Sequence, residues 1–317
     1  MFFSYMNISK IINTSLKTMK NIIIHEVGLR DGLQNESKII PSDIKIKWIE
    51  ILINSGIDII QVGSFVNPSR VPQMADTDEL FKELANVDKK NSILSGLVLN
   101  EKGLDRALDC GVDLICMGMS ASETHSTKNT GKSSEDALKS IINMGKKLLY
   151  INHPVQVSVQ SAFGCGFEGK IEEKKVINIC KLYIDNGLMN ISLADTAGHA
   201  YPEQVKRIFL AVKGYNDKVK LTAHIHNTYG LGIANCYAAI DSGAEIIETA
   251  FGGLGGCPFT KVAAGNVSTE DFVAGLQRNN LKQNINIDLV LEVSKEAQVL
   301  LERKLQSYVL DAGRINY

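Results

Sequence analysis

The sequence predicts an α/β protein, a closed TIM (β/α)8 barrel with extra C-terminal helices. Three observations support this. Eight short β-branched runs alternate with amphipathic stretches from residue 21 onward, an order that requires a parallel sheet. Eight βα units on one continuous body of ~250 residues favour closure into a barrel. Polar residues that look out of place on apolar strands fall just after the strand ends, where a barrel of this kind builds its active site. A doubly wound sheet is the competing architecture, but no G-x-G-x-x-G follows the first strand.

The strands are expected at residues 22–27, 57–62, 92–99, 112–117, 155–160, 189–194, 220–226 and 245–249. Each is a short apolar or β-branched run of the kind a buried parallel strand shows. Helical periodicity covers residues 42–54, 77–85, 102–109, 135–149, 172–186, 203–213 and 231–242. Glycines at Gly56, Gly111, Gly187 and Gly243 follow four of these helices, as left-handed C-terminal caps require. Two further helices, at 269–277 and 289–305, are expected to pack beside the barrel without a second core. Residues 1–20 carry Lys10, Lys17 and Lys20, no acidic residue and no arginine. They read as a disordered, targeting-like or mis-annotated extension. The rest, 21–317, is expected to be one catalytic domain, with its helical appendage starting near residue 266.

Composition excludes several function classes. The chain is 317 residues long, 44% hydrophobic and 22% charged, with a net charge of −1. That is an ordinary globular balance with no electrostatic case for nucleic acid or an anionic membrane. No uninterrupted apolar run is long enough to span a bilayer. The six cysteines lack CxxC spacing, so neither a zinc ribbon nor a disulfide framework is expected, and a reducing compartment fits. The cytoplasm is the expected location, or the mitochondrial matrix in a eukaryote.

The chemistry concentrates in a few residues. His224 and His226 are two apart on an expected strand, so both imidazoles project to one face. Asp31, His224, His226 and Asn266 make a mixed oxygen and nitrogen set suited to an octahedral divalent cation, Mg²⁺ or Mn²⁺, with positions left for substrate. The remaining histidines, His25, His125, His153 and His199, read as packing or surface side chains. Arg30, beside the metal set, has the fixed charge and donor fork to hold a carbonyl or enolate oxygen; the competing role is an ion pair with Glu26 or Glu36. Cys257 lies on a loop with Gly252, Gly253, Gly255 and Gly256, whose glycines permit the angles and motion of a closing segment. That cysteine can act as an acid toward a carbanion, or be incidental to a tight turn. The loop lacks the Lys and Ser/Thr of a P-loop. Ser120 to Glu123, with Lys128 and Lys132 nearby, is either a contact for an anionic substrate tail or a solvated loop.

These residues carry a resemblance. The segments 26–36 (EVGLRDGLQNE), 64–75 (SFVNPSRVPQMA), 120–129 (SASETHSTKN), 163–170 (FGCGFEGK), 195–198 (DTAG), 224–230 (HIHNTYG), 253–259 (GLGGCPF) and 265–271 (GNVSTED) resemble the 3-hydroxy-3-methylglutaryl-CoA lyase family. That family belongs to the metal-dependent barrel group that includes isopropylmalate and homocitrate synthases. The resemblance runs from about residue 22 to about residue 275, and GLGGCP separates the lyases from the synthases. It implies cleavage of the acyl-CoA to acetyl-CoA and acetoacetate. It further implies a cation held by Asp31, His224, His226 and Asn266, with Asp31 or His224 as the base. Arg30 would sit on the enolate oxygen and Cys257 would close the site and help protonate the enolate. Asp195 and Thr196 would order the polar rim, Ser120 and Lys128 would lie along the CoA entrance, and two copies would form a homodimer.

The chain departs from the family at three places. Gln61 stands where a glutamate usually orients the arginine, and an amide accepts from Arg30 without neutralising it. Asn227 replaces an aspartate, and Gly164-Cys165-Gly166-Phe167 replaces Gly-Cys-Pro-Tyr. The alternatives are a lyase for a related 3-hydroxyacyl-CoA such as citramalyl-CoA, a Claisen-condensing acyltransferase, and a non-catalytic paralogue.

Overall fold

Eight parallel strands close into a barrel in strict sequence order, with the first hydrogen-bonded to both the second and the eighth. The structure is a computed structural model and describes residues 22–256 and 265–315. The strands are β1 (Ile23–Glu26), β2 (Ile59–Ser64), β3 (Ile93–Val98), β4 (Leu114–Ser120), β5 (Val155–Gln160), β6 (Asn190–Asp195), β7 (Lys220–Ile225) and β8 (Ala244–Thr249). The helices are α1 (Ser42–Ser55), α2 (Thr77–Leu84), α3 (Glu101–Asp109), α4 (Glu123–Thr130), α5 (Ser134–Tyr150), α6 (Glu173–Asp185), α7 (Pro202–Lys213), α8 (Gly232–Asp241), α9 (Thr269–Arg278), α10 (Ile287–Leu300) and α11 (Tyr308–Ala312). The TIM barrel expected from the sequence is therefore present, with its C-terminal helices. Residues 1–20 of the expected extension lie outside the described residues, as does Cys257.

Side-chain alternation divides the barrel into two environments. Ile24, Ile60, Leu94 and Ile115 face outward into the main core under the helices. Ile23, Ile59, Leu97, Leu114 and Cys116 face inward and form a separate small apolar cluster. On the same inward face stand the polar residues His25, Gln61 and Ser95, all buried. Barrel interiors of this class are usually filled by branched apolar side chains. Here apolar and polar side chains share the interior, with His25 paired in register with Ile59 and Ser95 with Leu114.

One element differs from expectation. The segment after β4, expected as a loop, contains helix α4, capped where the Ser122 hydroxyl accepts from the His125 N–H at 3.1 Å. Its eight polar residues carry no apolar stripe, so periodicity does not reveal it. The C-terminal helices, expected beside the barrel without a second core, contribute to the same buried core as the barrel helices. Tyr237 of α8 packs against Phe272 of α9. Glu296 of α10 accepts from Trp48 and Lys47 of α1, so α10 fills the gap between α9 and α1.

Candidate active site

The site is built on the C-terminal ends of β1, β7 and β8. After β1 the chain makes a wide π-helical turn, Gly28–Gly32, in which the N–H groups of Arg30, Asp31 and Gly32 all approach the Val27 carbonyl. Such turns recur at functional sites because they re-aim side chains. Gly28 is required there: a Cβ would stand 2.6 Å from the Phe251 ring and 2.7 Å from Glu26 Oε1. The turn presents Arg30 and Asp31 to the barrel mouth.

At the end of β7, His224 and His226 point to one face as the spacing predicts, with their Nε2 atoms 3.1 Å apart. Asp31 Oδ2 is 3.8 Å from His224 Nε2 and 3.6 Å from His226 Nε2. These three side chains form the one group among the described residues whose donor atoms converge as a metal site needs. Asn266 is carried beside them by a short antiparallel bridge between its backbone and that of His226. Its Nδ2 donates to Asp31 Oδ2 at 2.8 Å and to the Leu254 carbonyl at 3.1 Å. Its Oδ1 is buried with no hydrogen-bond partner among the described residues, as is His226 Nδ1. A buried orphan acceptor is costly, and a cation at this cluster would relieve it. The residues present therefore fit a divalent cation. Gly255, at φ +104°, lets the glycine loop run against the cluster, where a Cβ would meet Asn266 Nδ2 at 2.6 Å.

The electrostatics follow from the pairing. Burial works against the Asp31 carboxylate, but the Arg30 guanidinium and the two imidazoles outweigh it and hold the carboxyl well below its usual range. His224 is also buried, yet its hydrogen bond to Glu248 and the nearby Asp31 raise its pKa. For His226 burial wins, with the charge of His224 adding to it, and its pKa falls. Glu248 accepts from His224 Nδ1 at 2.7 Å. Burial opposes its charge, but the His224 and His25 imidazoles overcome this and keep it ionised.

Arg30 does not pair with Glu26 or Glu36. Its Nη1 donates to Asp31 Oδ1 at 2.5 Å and its Nε to Gln61 Oε1. Its Nη2 makes no hydrogen bond among the described residues and remains available to an anionic oxygen. Gln61 thus occupies the orienting position, without the negative charge. A β-bulge shifts the β2–β3 register between Gln61 and Gly63, beside this contact.

A cavity of about 290 Å³ opens over the cluster, lined by Arg30, Asp31, His224, His226, Glu248 and Thr196 among others. Gln34, Arg70, His125 and Asn129 extend its wall. Ser120 and Lys128 do not line it. Ser120 is buried, with its hydroxyl donating to Ser161 and accepting from the Ser122 N–H. Lys128 is exposed, its ammonium 4.2 Å from the centre of the Phe167 ring. Asp195 is buried under the rim, accepting from the N–H groups of His199 and Ala200. Burial outweighs those bonds and lifts its pKa to about 7. Thr196 accepts from the Ser161 N–H at 2.9 Å. Glu248 and His25 carry no motif and escape reading by pattern. Only the strand pairing puts them at the level of His224.

A closed barrel with a carboxylate and two imidazoles converging on its C-terminal rim is a TIM-barrel enzyme with a group able to hold a divalent cation. Residues 21–296 match the family described as HMGL-like, and the chain belongs to that family and is a carbon–carbon lyase. It is 33% identical over 289 residues to the hydroxymethylglutaryl-CoA lyase of Bacillus subtilis, covering 91% of this chain and 96% of that protein. It is 35% identical over 293 residues to the human mitochondrial hydroxymethylglutaryl-CoA lyase, covering 92% and 90%. A solved HMG-CoA lyase from Acinetobacter baumannii, in complex with coenzyme A and 3-methylmalate, superposes with a TM-score of 0.87 at 36% identity, covering 93% of this chain and 96% of that one.

Proposed function

We propose that this protein cleaves 3-hydroxy-3-methylglutaryl-CoA to acetyl-CoA and acetoacetate with a divalent cation, Mg²⁺ or Mn²⁺. The observation that carries this is the convergence of Asp31, His224 and His226 beside Arg30 in a chain of the HMGL-like family. Asp31, His224, His226 and Asn266 are the residues that would hold the cation. Two imidazoles with oxygen donors suit an ion of this hardness. When bound, the ion supplies Lewis acidity that lowers the pKa of a coordinated hydroxyl.

The chain's own groups then divide the work. We assign proton acceptance from the substrate C3 hydroxyl to Asp31 or His224, which converge at the cation position. As the C2–C3 bond breaks, negative charge collects on the thioester oxygen of the leaving enolate. Arg30 Nη2 is the free donor for that oxygen, since Asp31 takes Nη1 and Gln61 takes Nε. Gln61 positions Arg30. Asp195 and Thr196 order the rim by tying the β6 turn to neighbouring backbone. Proton return to the enolate is assigned to Cys257 on the family resemblance alone, because that residue lies outside the described residues.

The relatives include mitochondrial and cytoplasmic forms, and among the described residues no helix is long and apolar enough to cross a membrane. We place this chain in the cytoplasm, and resemblance supports a homodimer, to be measured by light scattering. The function is tested by incubating purified protein with 3-hydroxy-3-methylglutaryl-CoA and Mg²⁺. Equimolar acetyl-CoA and acetoacetate are expected. Cleavage of citramalyl-CoA in its place would move the substrate, and no cleavage of either would reject the function.

A further inference from the structure

One buried histidine is not part of the chemistry above. His25 lies on β1 facing the barrel interior and is fully buried. In the parallel pairing of β1 with β8 its partner is Glu248, and in the pairing of β7 with β8 the partner of Glu248 is His224. The register therefore sets three side chains side by side at one level of the barrel, directly beneath the cation cluster. Glu248 sits in the middle. Its Oε2 accepts from His224 Nδ1 at 2.7 Å, and its Oε1 is 3.4 Å from His25 Nδ1. The far nitrogen of His25 is anchored in turn, with Nε2 2.8 Å from the Ser95 hydroxyl on β3. Ser95 donates to the Ile60 carbonyl at 3.4 Å.

We propose that His25 and Glu248 are positioning residues that fix the tautomer and ring plane of His224 as a cation ligand. This rests on the cation site proposed above. A histidine binds a metal through a nitrogen lone pair, and the other nitrogen must then carry the proton. Glu248 takes that Nδ1 proton as a charged acceptor, which leaves the Nε2 lone pair aimed at Asp31 and His226. An outer partner of this kind raises the basicity of the ligand and stops the ring from rotating. Glu248 alone has a second oxygen free to swing. His25 Nδ1 stands 3.4 Å from that oxygen and is buried with no hydrogen bond to any other group among the described residues, so imidazoles on both neighbouring strands flank the carboxylate. His25 does not line the cavity over the cluster, so its effect is on cation affinity and through it on turnover.

The test is Mn²⁺ binding, read as the loss of the free-ion electron paramagnetic resonance signal, for wild type and three full-length variants. Glu248→Gln keeps shape and removes the charge, and is expected to weaken Mn²⁺ about 10- to 100-fold. His25→Leu fills the space and removes both nitrogens, and is expected to weaken it several-fold. His25→Asn places an amide N–H where Nδ1 stands and restores affinity to within about twofold of wild type, taking the measured second-ligand effects as the scale. That order discriminates. A packing role for His25 favours the leucine, which leaves less empty volume than asparagine. Saturating Mn²⁺ should return the turnover of both His25 variants toward the wild-type kcat. The proposal is overturned if Glu248→Gln and His25→Leu bind Mn²⁺ as wild type does, or if the leucine variant binds more tightly than the asparagine. Should the leucine variant fail to fold, weak binding by Glu248→Gln beside near-normal binding by His25→Asn supports the row, and equal binding by both rejects it. Wild type that binds no Mn²⁺ removes the cation site itself, and the row with it.

Discussion

The barrel wall buries glutamates on both of its faces, and the two faces treat them oppositely. Glu26 and its sequence neighbour His25 sit on one strand, so alternation sends them to opposite sides. Glu26 faces outward, where Oε1 accepts from the N–H groups of Gly28 at 2.6 Å and Phe251 at 3.1 Å, and Thr269 holds Oε2. No cation pairs with it among the described residues. Burial dominates and lifts its pKa to about 8, so Glu26 is carried as the neutral acid. Glu248 faces inward between His224 and His25, and there the imidazoles outweigh the same burial and keep it ionised. Depth alone therefore does not set the charge of a buried carboxyl; the neighbours do. The outer glutamate ties two turns together by hydrogen bonds, and the inner one supplies a negative charge to a ligand histidine.

The comparison can be broken at four points, taken from the largest expected effect to the smallest. His226→Ala removes an inner-face ligand and should abolish cation binding and reduce turnover by at least about 10³-fold together, seen by metal analysis and assay on one sample. Retained activity with unchanged metal content would sink the inner-face assignment. Arg30→Gln should leave cation binding intact and cost roughly 10²–10³ in kcat, as loss of a charge-stabilising donor does. Equal loss of metal would make Arg30 structural. Gln61→Ala frees the Arg30 fork and is expected to lower kcat by about tenfold with the melting temperature nearly unchanged. An unaltered kcat would show that Arg30 is oriented without Gln61.

The fourth concerns the outer face. Glu26→Gln preserves one acceptor for Gly28 and Phe251 and offers a donor to Thr269, so at pH 7 it should change stability by less than about 1 kcal/mol. The pH dependence has a definite sign. The folded pKa, about 8, lies above the ordinary value of 4.5, so the folded chain binds this proton more tightly than the unfolded chain does. That stabilisation is full below about 4.5 and is lost as pH rises through about 8, on the order of a few kcal/mol at most. The glutamine variant has no proton to lose. Its melting temperature should therefore gain on wild type between pH 6 and pH 9. Parallel curves for the two proteins would show that Glu26 is already ionised.

Most of the barrel was legible in the sequence because its strands are β-branched runs bounded by glycine caps, and residues 155–160 coincide with β5. The pair His224 and His226 was legible because strand spacing alone puts them together. Other parts needed the fold. Helix α4 has no apolar face to announce it. The π-helical turn that aims Arg30 and Asp31 has no periodic signature. A single histidine on an apolar strand, such as His25, reads as core until strand register places it opposite Glu248. Lys128 looks like an anion contact by charge, but its chain position on α4 turns it to Phe167.

The most direct measurement is a titration of metal-free wild-type protein with Mn²⁺, following bound ion and 3-hydroxy-3-methylglutaryl-CoA cleavage in the same tube. Turnover that starts near zero, rises in proportion to bound Mn²⁺ and saturates at one ion per chain is the predicted result. Full turnover by the chelated protein, with Mn²⁺ neither bound nor needed, would contradict the assignment of the Asp31, His224 and His226 cluster.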